Sequence, residues 1–387
     1  MGPAGMRTVH HCEWMGPNMV LPNGRWMLSS LLVDELPIAP WKGGAGARIH
    51  TDDDKWYIDM FGDSGTVSCG YVEIEHPMHV PQIVPAEVRE HTAQMFAQSA
   101  GLDWAFFVNS GTEGVETMMK FARRASGRTL IYTHEGEFHG RTYGAMSASF
   151  SAPYHRNGYG PFLPGCAMFQ DPRDIDNNAA AVIITPAMVN KDFAEYDPEW
   201  VARLLTHCRQ HDILICLDEV QTFLRLGTVW GHQLYGIQPD MLCTAKGVAM
   251  GYPAGIVLGK MSVGLTIAKG GHFSTFGGSP AACALMQVVL SEHGDRKSLT
   301  HYRAMGNYMR HRLLSVSNDI RFKGMMVAAD LDCDMWRLRN WCLNNGVIIG
   351  VFSADQALKL TPPLTITVEE LEEAMDVIVE GVRACSS

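Results

Sequence analysis

The middle of the chain carries six short, almost wholly apolar runs: AFFVN (105–109), TLIYTH (129–134), AAVIIT (180–185), ILICLDE (213–219), MLCTA (241–245) and AGIVLG (254–259). Each is too short for a typical helix and lacks the polar alternation of a half-exposed strand, so each is predicted to be a strand buried on both faces. Amphipathic stretches separate them. EGVETMMKFARRAS (113–126) has helical spacing, and Asp197-Pro198 supplies an N-cap and a first-turn proline for EWVARLLTHCRQH. Continuous apolar strands alternating with helices imply an α/β fold, a mostly parallel sheet covered on both faces. In such sheets ligands bind beyond the carboxyl ends of the strands, so the residues that follow these runs are the candidates for chemistry.

The C-terminal third has a different texture. FKGMMVAADL (322–331), a helix near 334–345, VIIGVF (347–352) and ALKLTPP (357–363) suggest a smaller α+β unit. Thr367 and Glu370 form a capping box for the closing helix VEELEEAMDVIVEGVRA. ARIHTDDDKWYIDMFG (47–62) reads as a hairpin that joins this unit. The expected division is an N-terminal segment 1–60 belonging to the small domain, a large domain 61–295 and a small domain 296–387.

Composition narrows the function classes. With 387 residues, 47% hydrophobic and 19% charged, the chain can bury a sizeable core. Its net charge of -10 and its lack of basic runs argue against a nucleic-acid partner. No apolar run approaches the roughly 20 residues of a membrane span. The opening MGPAGMRTVHHCEW has no apolar h-region, and Met6 stands where a myristoylation motif needs Ser or Thr. Ten cysteines form no CxxC pair, and Cys216, Cys243 and Cys283 fall in apolar segments, which suggests free thiols in a reducing, cytoplasmic setting. No HExxH spacing occurs, His10-His11-Cys12 reads as a tail, and no metal site is expected.

Three features sit at strand ends. NSGTEG (109–114) joins a strand to a helix; its small residues let backbone approach an anion, and the helix start supplies N–H donors. A simple capped turn explains it equally well when taken alone. Asp218 ends an otherwise apolar strand, where a buried carboxylate needs a partner. Lys246 follows MLCTA; desolvated, its amine becomes a Schiff-base nucleophile, whereas a solvated lysine after a strand is the simpler reading of that residue by itself. An anion cradle, a carboxylate for a ring nitrogen and an amine for an aldehyde together match the handles of pyridoxal phosphate.

The chain resembles the class III aminotransferases, fold-type-I pyridoxal-phosphate enzymes that include ornithine, acetylornithine and 4-aminobutyrate aminotransferases. The resemblance is carried by NSGTEGVETMMKFAR, EFHGRTYGAMSAS, DEVQTF, PDMLCTAKGVAMGYPAG, HFSTFGGSPAACA and LTPPLTIT, in the family's order, from about residue 40 to the end. It implies a large domain built on a mostly parallel seven-stranded sheet flanked by helices, with a smaller α+β domain from the N- and C-terminal segments. It also implies a homodimer with active sites at the interface. Lys246 then forms the internal aldimine, and Asp218 pairs with the pyridinium nitrogen. Gln221 lies near the phenolic oxygen, with Val220 and Phe138 on the two ring faces. Ser110, Gly111 and Thr112 bind the phosphate, Thr275 reaches the phosphate of the neighbouring subunit, and Arg141 grips a substrate carboxylate.

The chain also departs from the family. Where members carry EPxQGEGG it has TPAMVNKD (185–192), so Thr185 and Asn190 replace two glutamates. Where ornithine aminotransferase-like members have an arginine in RxxPPL, it has Lys359, a point charge without the planar fork. Asn190 and Lys359 are therefore expected to shape the substrate site. QTGFGRTG has become QTFLRLGT, which is expected to place Phe223 and Leu224 near the cofactor's edge, and FGDSGTVSCGY (61–71) is expected to line the entrance. Transamination of a small amino acid or amine is the leading reading. The alternative is a non-transaminating relative, a racemase, a lyase or a γ-elimination or γ-replacement enzyme; a catalytically silent binding protein conflicts with the intact Lys246, Asp218 and Gln221.

Overall fold

The computed structural model describes residues 38, 41–62, 66, 68–70, 86–187, 193, 196–351 and 357–386. Strands β1 (Trp41–Ala45), β2 (Arg48–Thr51) and β3 (Trp56–Asp59) form an antiparallel meander, and the 47–62 hairpin is its second half. The large sheet contains β4 (Trp104–Val108), β5 (Leu130–His134), β6 (Cys166–Phe169), β7 (Ala179–Ile184), β8 (Leu214–Asp218), β9 (Met241–Thr244) and β10 (Gly255–Gly259). Their order is β4-β10-β9-β8-β7-β5-β6. Only β10 runs against the others, pairing antiparallel with both β4 and β9. The carboxyl ends of the other six strands therefore share one edge.

The apolar runs explain this sheet residue by residue. Every residue of β7 is buried. Because successive side chains alternate, Ala181 and Ile183 join Cys216, Cys243 and Val257 under the helix Gly111–Ser126, against its Val115, Met118 and Ala122. Val182 and Ile184 join Leu217, Leu242 and Ile256 on the opposite face, with Phe96, Leu204 and Met286. Fully burying one such aliphatic side chain is worth about 1.5–3 kcal/mol, so a shift of register by one residue would be ruinous on both faces. Strand β6 was not among the six runs: it lies at the sheet edge, and of its four residues only Phe169 is buried.

The expected caps are present. Asp197 accepts hydrogen bonds from the amides of Glu199 and Trp200 at the start of Pro198–Gln210. Thr367 and Glu370 close a reciprocal capping box on Val368–Cys385. In the C-terminal third, FKGMMVAADL straddles a hairpin of β11 (Asp319–Lys323) and β12 (Met326–Asp330). VIIGVF divides: β13 (Val347–Ile348) runs parallel to β3, whereas β14 (Gly350–Val351) pairs with β15 (Ala357–Leu360). The nine described cysteines are free. Among the described residues no helix is long and apolar enough to cross a membrane, and no group of three or more His, Cys, Asp or Glu side chains is placed to hold a metal.

Candidate active site

The shared carboxyl edge gathers the chemistry. Beyond β4, Ser110 caps Gly111–Ser126, its side chain accepting from the Glu113 amide. First-turn amides of a helix have no intrahelical acceptor and suit an anion. Position 111 has no room for a side chain, because a Cβ there would lie 2.6 Å from Cγ2 of Val220. Gly111 and Val220 thus bring the ends of β4 and β8 together across the sheet. The hydroxyls of Thr112 and Thr142 lie 2.8 Å apart, and a Cβ at Gly140 would come within 2.4 Å of the Thr112 hydroxyl. Backbone from three strand ends therefore closes on one small region.

Asp218, at the end of β8, is buried. Its Oδ1 accepts from the Val220 amide at 3.0 Å, and its Oδ2 lies 2.8 Å from Nδ1 of His139. His139 is buried as well, with its own amide donated to the Ser149 hydroxyl. Burial works against its charged form, but the hydrogen bond and charge of Asp218 and the charge of Glu137 outweigh that, and the imidazole's pKa is raised. Glu137 is buried behind the histidine: Oε1 accepts from the Thr185 amide at 3.0 Å and from the Tyr196 hydroxyl, and Oε2 lies 3.8 Å from His139 Nε2. Burial pushes the Glu137 carboxyl up, against the pull of His139.

Lys246 follows β9, the parallel neighbour of β8, and Cys243 in β9 pairs with Asp218. The backbone leaves β9 through the buried Ala245 and turns into a 3-10 helix, Lys246–Ala249. Lys246 itself has φ of +47°, a left-handed conformation that costs a non-glycine residue roughly 1–3 kcal/mol and is found preferentially at functional sites. The lysine is half-buried. Gln221 lies on the turn that follows Asp218 and is also half-buried.

Phe138 and Arg141 flank the same edge beyond β5, the guanidinium carbon 5.5 Å from the ring centroid, and the His155 ring lies 4.9 Å from that of Phe138. Arg141 is exposed. Thr275 is exposed in a loop tied to the end of β4, where the Ser274 hydroxyl meets the Asn109 amide group at 3.2 Å. Lys359 lies in β15, buried, opposite Ala328. Asn190 is outside the described residues, as is much of 61–71. Phe223 and Leu224 belong to the core, Phe223 packing on Trp230 and Phe96 at centroid distances of 4.8 and 5.8 Å.

Three residues were not singled out from the sequence: His139, Glu137 and Arg225. The first two flank Phe138 in the EFHGR motif, and an acid and an imidazole on either side of an aromatic residue were the available signal. Arg225 is buried, donating to Ser68 Oγ at 3.0 Å and to the Pro362 carbonyl, so it ties Ser68 to the start of TPPL. Burial lowers its pKa to about 10.

The sheet order and the site at its carboxyl edge define a fold-type-I pyridoxal-phosphate enzyme. The ornithine aminotransferase structure from Toxoplasma gondii superposes with a TM-score of 0.84 over 91% of each chain at 24% identity. An (S)-enantioselective omega-transaminase from Thermomicrobium roseum does so with a TM-score of 0.82 over 90% of this chain and 93% of its own, at 23% identity. The model of the class III aminotransferases matches residues 33–382, and the chain belongs to that family of pyridoxal-phosphate-dependent transferases. Among curated relatives, the acetylornithine aminotransferase of Archaeoglobus fulgidus is 32% identical over 357 residues, covering 87% of this chain and 93% of its own. That of Methanosarcina mazei is 30% identical over 363 residues, covering 87% and 90%. The residues present fit the cofactor: a helix start that a Cβ would obstruct, a buried carboxylate with a fixed partner, and a lysine held beside it.

Proposed function

We propose that the chain transfers the amino group of a small amino acid, with Lys246 as the amine that engages the cofactor and Asp218 as the partner of its ring nitrogen. The observation that carries this reading is the placement of Lys246, in left-handed backbone, one parallel strand from the buried Asp218. In this reading Ser110, Gly111 and Thr112 hold the phosphate at the helix start. Val220 and Phe138 cover the ring faces, and Gln221 meets its phenolic oxygen. When bound, pyridoxal phosphate supplies an aldehyde for amines and a ring that absorbs the electron pair released at the substrate's Cα.

The chain's own groups do the rest. The Lys246 amine takes the proton from the substrate Cα. The carboxylate of Asp218, oriented by His139 and the Val220 amide, keeps a proton on the ring nitrogen. Arg141 offers a planar fork to the substrate carboxylate, and its exposure leaves it accessible. Asn190 and Lys359 replace a glutamate–arginine pair and give the site a different response to a second carboxylate. The exposed Phe273, Thr275 and Phe276 support a homodimer in which Thr275 reaches the partner's phosphate. We assign residues 61–295 to the cofactor-binding unit and residues 1–60 and 296–387 to the smaller one, in a cytoplasmic enzyme.

The test is direct. The purified protein should be yellow, and borohydride should fix the cofactor's mass on the Lys246 peptide; a colourless protein unchanged by added pyridoxal phosphate sinks the reading. Incubation of acetylornithine, ornithine and other small amino acids in heavy water should then give an oxo product and the amine form of the cofactor. Deuterium entering Cα or Cβ with neither product would support the non-transaminating alternative, which the replacement of the glutamate–arginine pair by Asn190 and Lys359 favours.

A further inference from the structure

Behind Asp218 and His139 the structure holds a third buried titratable group, Glu137, that the proposed reaction does not use. Glu137, His139 and Asp218 lie in a row, none of them more than 5% exposed. The imidazole has a carboxylate on each side: Asp218 Oδ2 is 2.8 Å from Nδ1 and Glu137 Oε2 is 3.8 Å from Nε2. Glu137 Oε2 and His139 Nε2 are also buried atoms without a close hydrogen bond, the Ile183 carbonyl being the backbone acceptor beside the imidazole. Two complementary atoms that face each other in a dry interior without a close partner are costly unless they share a proton. The other oxygen of Glu137 is fixed by the Tyr196 hydroxyl and the Thr185 amide.

We propose that Glu137 is a positioning residue that acts through His139 on Asp218, sharing the Nε2 proton of the imidazole and so setting the charge that stands behind the Asp218 carboxylate. In one state the proton is on Nε2, giving an imidazolium between two carboxylates. In the other the N–H bond has broken and an O–H bond has formed on Glu137 Oε2, leaving a neutral imidazole and a neutral acid. The Nδ1–H bond to Asp218 persists in both, so no proton leaves the row. The other groups facing the row are Thr185 and Tyr196 in the chain beyond β7, the Ile183 carbonyl, the Ser149 hydroxyl and the Cys243 thiol of β9. Both Glu137 and His139 hold protons more tightly than usual, as a shared proton requires. The link from this row to the cofactor rests on the reading of Asp218 as the partner of the ring nitrogen.

The experiment uses the full chain with ¹⁵N-labelled histidine, first without cofactor and then loaded with pyridoxal phosphate. In the cofactor-free protein the imidazolium fraction of His139 at neutral pH should fall about tenfold or more in E137Q, as expected when a buried opposite charge is removed. An unchanged His139 titration overturns the proposal. In the loaded protein, the pH at which the visible band of the cofactor changes should move with E137Q; a band that stays put while the His139 titration moves overturns the link to Asp218. If the wild-type chain takes up no cofactor, the Asp218 reading fails, while the cofactor-free titration still decides the Glu137–His139 pair. Should E137Q not fold, Y196F replaces it: loss of the phenol draws the proton onto Glu137, and the imidazole should read neutral at lower pH than in the wild type. No movement in Y196F overturns the proposal.

Discussion

Asp218 and His139 are 79 positions apart in the chain and 2.8 Å apart in the fold, the carboxylate Oδ2 against the ring Nδ1. That contact fixes the imidazole tautomer, since Nδ1 must carry a proton to donate to an acceptor-only carboxylate. It also gives a buried acid the partner that the sequence demanded without naming.

The contact has a pH signature. The folded pKa of His139 is raised above its ordinary 6.5. A group bound more tightly to its proton in the fold contributes stability fully below its unfolded pKa, and that contribution fades as pH rises through the higher folded value. H139N keeps a donor for Asp218 but does not titrate. It should lose about 1–3 kcal/mol below roughly pH 6.5, the worth of a charged hydrogen bond, with the deficit shrinking in alkali. Thermal unfolding of the cofactor-free protein across that range measures it; a deficit that grows with pH would contradict the raised pKa.

Lys246 allows chemistry and backbone to be separated. K246A and K246G should both abolish the yellow colour and borohydride fixation, because neither offers an amine. They should differ in stability: at φ of +47° glycine is unstrained, so K246G should be more stable than K246A by about 1 kcal/mol despite its greater unfolded-state entropy. Chemical denaturation of the two variants distinguishes them, and an alanine variant the more stable of the two would remove the argument for stored strain.

How far the sequence went follows from how local each feature is. Continuous apolar runs announced strands such as Ala179–Ile184 because both faces of that strand are covered, and the periodicity cannot be mistaken for a surface element. Cys166–Phe169 escaped because an edge strand with Met168 exposed leaves no such run. Lys246, Asp218 and the 110–112 turn were legible because each sits where a strand stops. Phe223 was misplaced because its bulk was judged against neighbours in sequence, whereas Phe96 and Trp230 receive it in the core. Glu137 and His139 were hidden for a related reason: their partners at 185, 196 and 218 come from other strands, and only folding brings them together.

The cradle at the helix start makes a steric prediction. In G111A the new methyl would sit 2.6 Å from Cγ2 and 2.8 Å from Cγ1 of Val220, closer than carbon atoms pack. A β-branched valine has little rotamer freedom with which to retreat. The substitution should cost about 1–3 kcal/mol of stability, in line with overpacked sites, and should weaken cofactor retention by displacing the helix start. G111A/V220A should recover most of the stability, since the smaller side chain vacates the contact. Calorimetry of the two single variants and the double variant tests the coupling; additive losses would mean that Gly111 and Val220 do not meet.

Arg141 is exposed, 5.5 Å above the Phe138 ring, so it adds little to the fold and is free to meet a ligand. If it holds the substrate carboxylate, the planar fork matters more than the charge, and lysine is a poor replacement. R141K should leave thermal stability and the cofactor's absorbance unchanged. It should lower kcat/KM for amino acids by about tenfold or more, as expected for one lost charge-assisted contact, while amines without a carboxylate are scarcely affected. Side-by-side kinetics on an amino acid and its decarboxylated amine provide the comparison. Equal losses on the two would mean that Arg141 serves the cofactor or the fold, and that the carboxylate is held elsewhere, with buried Lys359 the next residue to replace.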